Sequence, residues 1–215
     1  MMIQIENMSK SIKQKIVLEE INLSMMDGKT YGLKGINGSG KTMLMRVISG
    51  LIYPSKGRVL INNEQLGKDM SFPNHMGLLL ENPSFLDAYT GYDNLKILVS
   101  LNDYISDDEI RNALKRVGLD PDDKRKYRKY SLGMKQRLGI AAAIMEKPEI
   151  LILDEPLNAL DMDGVQLFSQ IIREEKERGA LIILSCHEEE KLKEYADILV
   201  IMENGRIMEC QGENL

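Results

Sequence analysis

Gly35-Ile36-Asn37-Gly38-Ser39-Gly40-Lys41-Thr42 is the run from which the rest of the chain is read. It fits the pattern G-x-x-x-x-G-K-[ST], in which glycines let successive backbone N–H groups curl around a phosphate chain with no Cβ in the way. The flanks agree with it. Residues 30–34 read as a short strand entering the loop, and residues 43–48 as an apolar helix leaving it. A helix start adds partial positive charge where phosphate would sit. In such a loop Lys41 reaches the β- and γ-phosphates, and the Thr42 hydroxyl ligates Mg²⁺. The bland alternative is a glycine turn capping a core helix. The pattern predicts a nucleoside triphosphate site.

Bulk composition sets outer bounds. The 215 residues are 43% hydrophobic and 28% charged, which suits a globular chain with a substantial core. A net charge of −5 supplies no global basic field, so nucleic acid is not an expected partner. No apolar run approaches the roughly eighteen residues of a membrane span. The start, Met1-Met2-Ile3-Gln4-Ile5-Glu6, lacks the basic region and apolar core of a signal peptide. Two cysteines, Cys186 and Cys210, make no disulfide framework and fit a reducing compartment.

Before the loop, Ile3, Ile5, Ile16, Leu18, Ile21 and Leu23 alternate with polar residues as half-buried strands do. Residues 58–62 read as a further strand, and 76–80 as a strand buried on both faces. From 81 to 147 the spacing turns helical. Helices are expected over 93–101, after a capping box at Ser106 to Glu109 with Gly118 as its stop, and over 131–145. A basic run, 124–129, lies among Asp120, Asp122 and Asp123. Buried strands then return at 150–153, 181–184 and 198–202, with an amphipathic helix at 163–178 and a hairpin turn at 203–205. The expected fold is α/β: a phosphate-loop NTPase core with a mostly parallel sheet, over 1–80 and 148–215, interrupted by an inserted helical subdomain at 81–147.

A second motif supports the first. Leu151-Ile152-Leu153-Asp154-Glu155 is an apolar strand ending in carboxylates, where Asp154 would hold Mg²⁺ and Glu155 would polarise a water for in-line attack. Taken alone, it is also what a strand ending in an acidic loop looks like.

Tyr130-Ser131-Leu132-Gly133-Met134-Lys135-Gln136-Arg137 resembles the signature sequence of ATP-binding-cassette (ABC) ATPases, with Leu132 in place of the first glycine and Met134 in place of the first glutamine. This form is similar to that of drug, bacteriocin and lantibiotic exporter ATPases. Read from the residues alone, Ser131 is simply a helix N-cap. The resemblance covers nearly the whole chain and implies an N-terminal antiparallel β subdomain beside the core. It implies ATP and Mg²⁺ as cofactors, with residues 35–42 and Met43 on the nucleotide. Thr42, Asp154 and Glu81 would hold the metal, Glu81 standing where the family usually has a glutamine. Glu155 and His187 would be the catalytic pair. Ser131, Leu132, Gly133 and Met134 would face the nucleotide of a second copy, and Asp161 would belong to the loop crossing between copies. The family stacks an aromatic ring on adenine, and the counterpart here is Ile12.

The resemblance further implies a homodimer or paired ATPase, a separate integral-membrane permease, and a place on the cytoplasmic face of the cell membrane. With the sequence ending at Leu215, the additional C-terminal domain of many importer ATPases is not expected. Two other readings stay open at this level. One is an ABC-type ATPase acting on nucleic acid or ribosomes, resting on the 124–129 run. The other is a regulatory or immunity subunit with slow turnover.

Overall fold

The computed structural model describes residues 2–81, 83–100 and 105–212. Strands β1 (Met2–Ile12) and β2 (Lys15–Met26) pair antiparallel around a turn at Lys13-Gln14, where both residues have positive φ. That geometry matches the right-handed twist of the strands it joins. The apolar alternation points one way: Ile3, Ile5, Met8, Leu18, Ile21, Leu23 and Met25 are all buried. β4 (Lys56–Ile61) and β5 (Glu64–Gln65) complete a four-stranded antiparallel sheet in the order β2-β1-β4-β5, with β3 (Thr30–Lys34) and helix α1 (Lys41–Ile48) preceding them in the chain.

Next come β6 (Met76–Leu79), α2 (Gly91–Val99), α3 (Asp107–Arg116), α4 (Leu132–Ile144), β7 (Ile150–Leu153) and α5 (Met162–Glu177). β8 (Leu181–Ser185), α6 (Glu189–Tyr195), β9 (Ile198–Glu203) and β10 (Arg206–Gly212) follow. The second sheet runs β10-β9-β3-β8-β7-β6, parallel throughout except for the β9–β10 hairpin. β3 is central, so the loop after it opens at the carboxyl ends of its neighbours, where open α/β sheets hold ligands.

The continuous apolar runs of β7 and β8 have a simple cause. Leu151, Leu153, Ile182 and Leu184 feed a core shared with α4 and α5, whereas Ile150, Ile152, Leu181 and Ile183 feed one shared with α1 and the antiparallel sheet. A strand covered on both faces has no polar side. β6 departs from expectation. It is an edge strand, with Gly77 and Leu79 buried but Met76 and Leu78 only partly so, because little covers its outer side.

In the helical segment, the expected capping box is present at Ser106 and Glu109. A second one, Thr90 with Asp93, starts α2 two residues before the expected 93. Leu101, the expected end of that helix, lies outside the described residues, as does Leu215. Helix α6 was not legible as a periodic run. It is short, and only Leu192 and Tyr195 of its residues are buried. Among the described residues no helix is long and apolar enough to cross a membrane.

Helix α4 lies so close to β6 that a Cβ added at Gly77 would fall inside the backbone carbonyl oxygen of Ala143 and 2.8 Å from the Pro148 ring. Neither backbone can yield. Gly77→Ala is expected to cost at least about 3 kcal/mol, and Ser106→Ala, which removes one cap, about 1 kcal/mol. Urea denaturation of the two variants checks the order, and comparable losses would mean that the close approach is not rigid.

Candidate phosphate-binding site

The loop after β3 is shaped by its backbone. Gly40 takes φ 105, and a Cβ there would also press on Leu18 at 2.9 Å. Gly40 is the N-cap of α1 with no side-chain capping bond, and the first turn carries no acidic residue. The helix therefore presents uncompensated N–H groups and partial positive charge to the cleft. Lys41 arches back over the loop, its Nζ donating to the Gly35 oxygen at 2.6 Å and the Ile36 oxygen at 3.2 Å. Ser39 Oγ is buried beneath the loop without a hydrogen-bond partner.

The end of β8 and the first turn of α1 converge on Asp154, which follows β7 and is 3% exposed. Thr42 Oγ1 donates to its Oδ2 at 2.5 Å, and the buried Ser185 hydroxyl, at the end of β8, donates to its Oδ1. The same Ser185 Oγ accepts the Glu155 N–H at 3.0 Å. Glu155 has a left-handed backbone, φ 52. Its Oε2 accepts the His187 backbone N–H at 3.0 Å, and its Oε1 lies 3.6 Å from His187 Nε2. Burial pushes the Glu155 carboxyl above its ordinary value, against the pull of His187, and the Asp154 charge pushes the same way as burial.

These groups line an open cleft of about 710 Å³. Asn37, Gly38, Gly40, Lys41, Thr42, Met43, Glu81, Asp154, Glu155 and His187 face it, and Gly35 and Ile36 face a cavity on the other side of the loop. Glu81 is not free within the cleft: its Oε1 pairs with Arg46 Nη2 at 2.6 Å. Arg46 follows Thr42 by four residues on α1, so helical spacing alone could have put it there. Ile12 does not line the cleft. It ends β1, before the turn, and Ile16 and Val17 of β2, after the turn, stand there instead.

The structure keeps the remaining predicted residues apart. Ser131 caps α4, accepting the Met134 N–H at 3.2 Å, while Leu132 is 75% exposed. Gly133 packs so near the Ala159 carbonyl that a Cβ would meet it at 2.7 Å. None of Ser131, Leu132, Gly133 and Met134 lines the cleft, and neither does Asp161. Asp161 instead caps α5 through the Gly164 N–H at 2.9 Å and pairs with Arg137. Sequence reasoning missed Gln136 and Ser185, a buried amide and a buried hydroxyl whose types carry no chemistry by themselves.

The family model described as ABC transporter matches residues 18–158. The chain is 48% identical over 206 residues to the ABC transporter ATP-binding protein YybJ of Bacillus subtilis (strain 168), covering 96% of this chain and 94% of that protein. It is 39% identical to the bacitracin transport ATP-binding protein BcrA of Enterococcus faecalis, covering 96% of this chain and 68% of that one. A solved ATP-binding subunit of an ABC transporter superposes with a TM-score of 0.89 at 26% identity, over 100% of this chain and 91% of that one.

The raised Glu155 carboxyl has a measurable consequence. The native protein keeps that proton to higher pH than the unfolded chain does, so the associated stability is full below the ordinary value of 4.5 and is lost as pH rises through the raised one. Glu155→Gln is therefore expected to match wild type at the acid end and become the more stable protein towards neutrality. Nucleotide-free urea denaturation across pH tests this, and a difference independent of pH would contradict it.

Proposed function

The chain belongs to the ABC transporter family, and on that premise we propose that this ATP-binding, ATP-hydrolysing subunit works as a head-to-tail pair driving a separate membrane permease, most simply in export. The single observation that carries the reading is the division of the site. The phosphate loop, Asp154, Glu155 and His187 meet in one cleft, while the N-terminus of α4 at Ser131 faces elsewhere. An anion-binding helix start is useful only against an anion. A second copy turned head to tail would bring Ser131 and Gly133, with Leu132 and Met134 beside them, to the γ-phosphate held by the first.

In each half-site the backbone N–H groups of residues 35–43 and the Lys41 ammonium would bind the β- and γ-phosphates. The residues fit Mg²⁺ as well. Thr42 and Asp154 offer hard oxygen donors, with Glu81 nearby once it parts from Arg46. Among the described residues no group of three or more His, Cys, Asp or Glu gathers closely enough to hold a metal alone. Mg²⁺ commonly takes one or two protein carboxylates and completes its shell with phosphate and water. When bound it would neutralise charge on the phosphate oxygens.

Glu155 would orient and polarise the attacking water, accepting its proton as the bond from the γ-phosphorus to the bridging oxygen breaks, giving ADP and phosphate. His187 would hydrogen-bond the γ-phosphate from the cleft's far wall. Asp161 would lie in the loop between copies. Adenine would rest on the aliphatic surface of Ile16 and Val17. The helical segment and the region of Glu81 would meet the permease at the cytoplasmic face of the membrane. Export follows the resemblance of the signature run and the likeness to BcrA, a bacitracin transport protein.

The basic run that motivates the nucleic-acid reading is partly tied into the fold. In the 124–129 run, Arg125 is paired with Asp123 at 2.7 Å and Tyr127 is buried, its hydroxyl donating to the Pro83 oxygen.

Two experiments test the pairing. Glu155→Gln is expected to accumulate as a dimer in saturating Mg-ATP, read by light scattering, and a monomer there would contradict the reading. Lys41→Ala and Ser131→Glu should each be inactive alone. Mixed, they form pairs in which both defects fall on one site and the other is intact. Random mixing then restores roughly a quarter of wild-type sites, measured as phosphate release, and a mixture no better than its components would overturn the head-to-tail arrangement.

A further inference from the structure

One buried amide connects the helix that starts at Ser131 with the carboxylate at Glu155. Gln136, in the second turn of α4, is 4% exposed. Its Nε2 donates to the Glu155 oxygen at 3.2 Å and to the Pro156 oxygen at 3.1 Å. The Glu155 residue is thus gripped at both ends. Its N–H donates to Ser185 Oγ, and its carbonyl accepts from Gln136 and from the Asn158 N–H at 3.2 Å. Such a grip has a purpose, because a left-handed φ of 52 is unfavourable for a residue with a Cβ and persists only where the surroundings over-determine it. In that conformation the side chain meets the His187 N–H at the cleft.

We infer that Gln136 is a positioning residue for hydrolysis: its side-chain amide holds the Glu155-Pro156 backbone so that the Glu155 carboxylate faces the nucleotide cleft. The inference rests on the reading of Glu155 as the group that orients the attacking water. The neighbouring residue completes the anchorage. Arg137 bonds Asp161 and threads between Gly118 and Gly164, where a Cβ would come within 2.7 Å and 3.1 Å of its guanidinium. Helix α4 therefore fastens both ends of segment 155–161. The rod whose N-cap is Ser131 also sets the geometry of its own chain's carboxylate. A displacement of Ser131 by a nucleotide on the second copy would be transmitted to Glu155 without passing through solvent.

The test compares Gln136→Met with Glu155→Gln and the double variant in the full chain, by steady-state phosphate release with Mg-ATP. Methionine keeps the length and bulk of the side chain and removes the donor. Misplacing the reacting group predicts a kcat lower by about ten- to a hundredfold. KM and the affinity for a fluorescent ATP analogue should stay within about threefold, and the double variant should be no slower than Glu155→Gln alone. Wild-type kcat in Gln136→Met, or a loss shared equally by kcat and analogue affinity, overturns the inference. If the methionine variant does not fold, Gln136→Glu, isosteric and without the amide donor, is read by the same split. Turnover surviving in Glu155→Gln would instead sink the reading of Glu155, a separate and distinguishable failure.

Discussion

The structure depends on how a carboxylate is kept inside it. Asp154 is almost wholly removed from water, a position that costs several kcal/mol for an ionised group unless its oxygens are satisfied. Both are. Thr42 comes from the first turn of α1, Ser185 from the end of β8, and Asp154 is the residue after β7. One acceptor therefore ties the carboxyl ends of β7 and β8 to the start of α1, and the phosphate loop that leads into α1 is held to the sheet through it.

Around that tie the chain accepts local cost where the chemistry is proposed to occur. Glu155 adopts a backbone that a strand-to-loop junction would not choose freely, and Lys41 turns its ammonium onto carbonyls of its own loop. Glu81 is engaged by Arg46. Each of these charges has a provisional partner inside the chain, which avoids leaving it bare in a half-desolvated cleft. The contrast with α4 is informative. Its start at Ser131 and Leu132 is exposed, with apolar surface at Leu132 facing water, although the rest of the helix is firmly packed.

Much of this was legible in the chain itself. Strand, glycine loop and helix at 30–48 needed only local rules, since the turn requires glycine and the helix requires apolar spacing. The buried runs at 150–153 and 181–184 announced a sheet covered on both sides. The edge position of β6 was not legible, because Met76-Gly77-Leu78-Leu79 is as apolar as a central strand and only the strand order exposes one side. Nor was the true apolar lining of the cleft. Ile12 and Ile16 are equivalent as residue types, and a two-residue turn between them decides which one faces the cleft.

The sequence by itself determined the kinds of group available: a glycine-lined anion loop, a strand-borne carboxylate pair, a histidine after a buried strand, and a serine-started helix. Motifs are local, and local backbone preferences suffice to write them. Only the tertiary structure decided which of these groups meet. It put Thr42, Asp154 and Ser185 on one hydrogen-bonded knot, set Gln136 under Glu155, and left Ser131 outside its own cleft. Those relations arise from strand order and from the packing of α4, which join residues up to 112 positions apart, from Thr42 to Asp154, and no local preference encodes a contact at that separation.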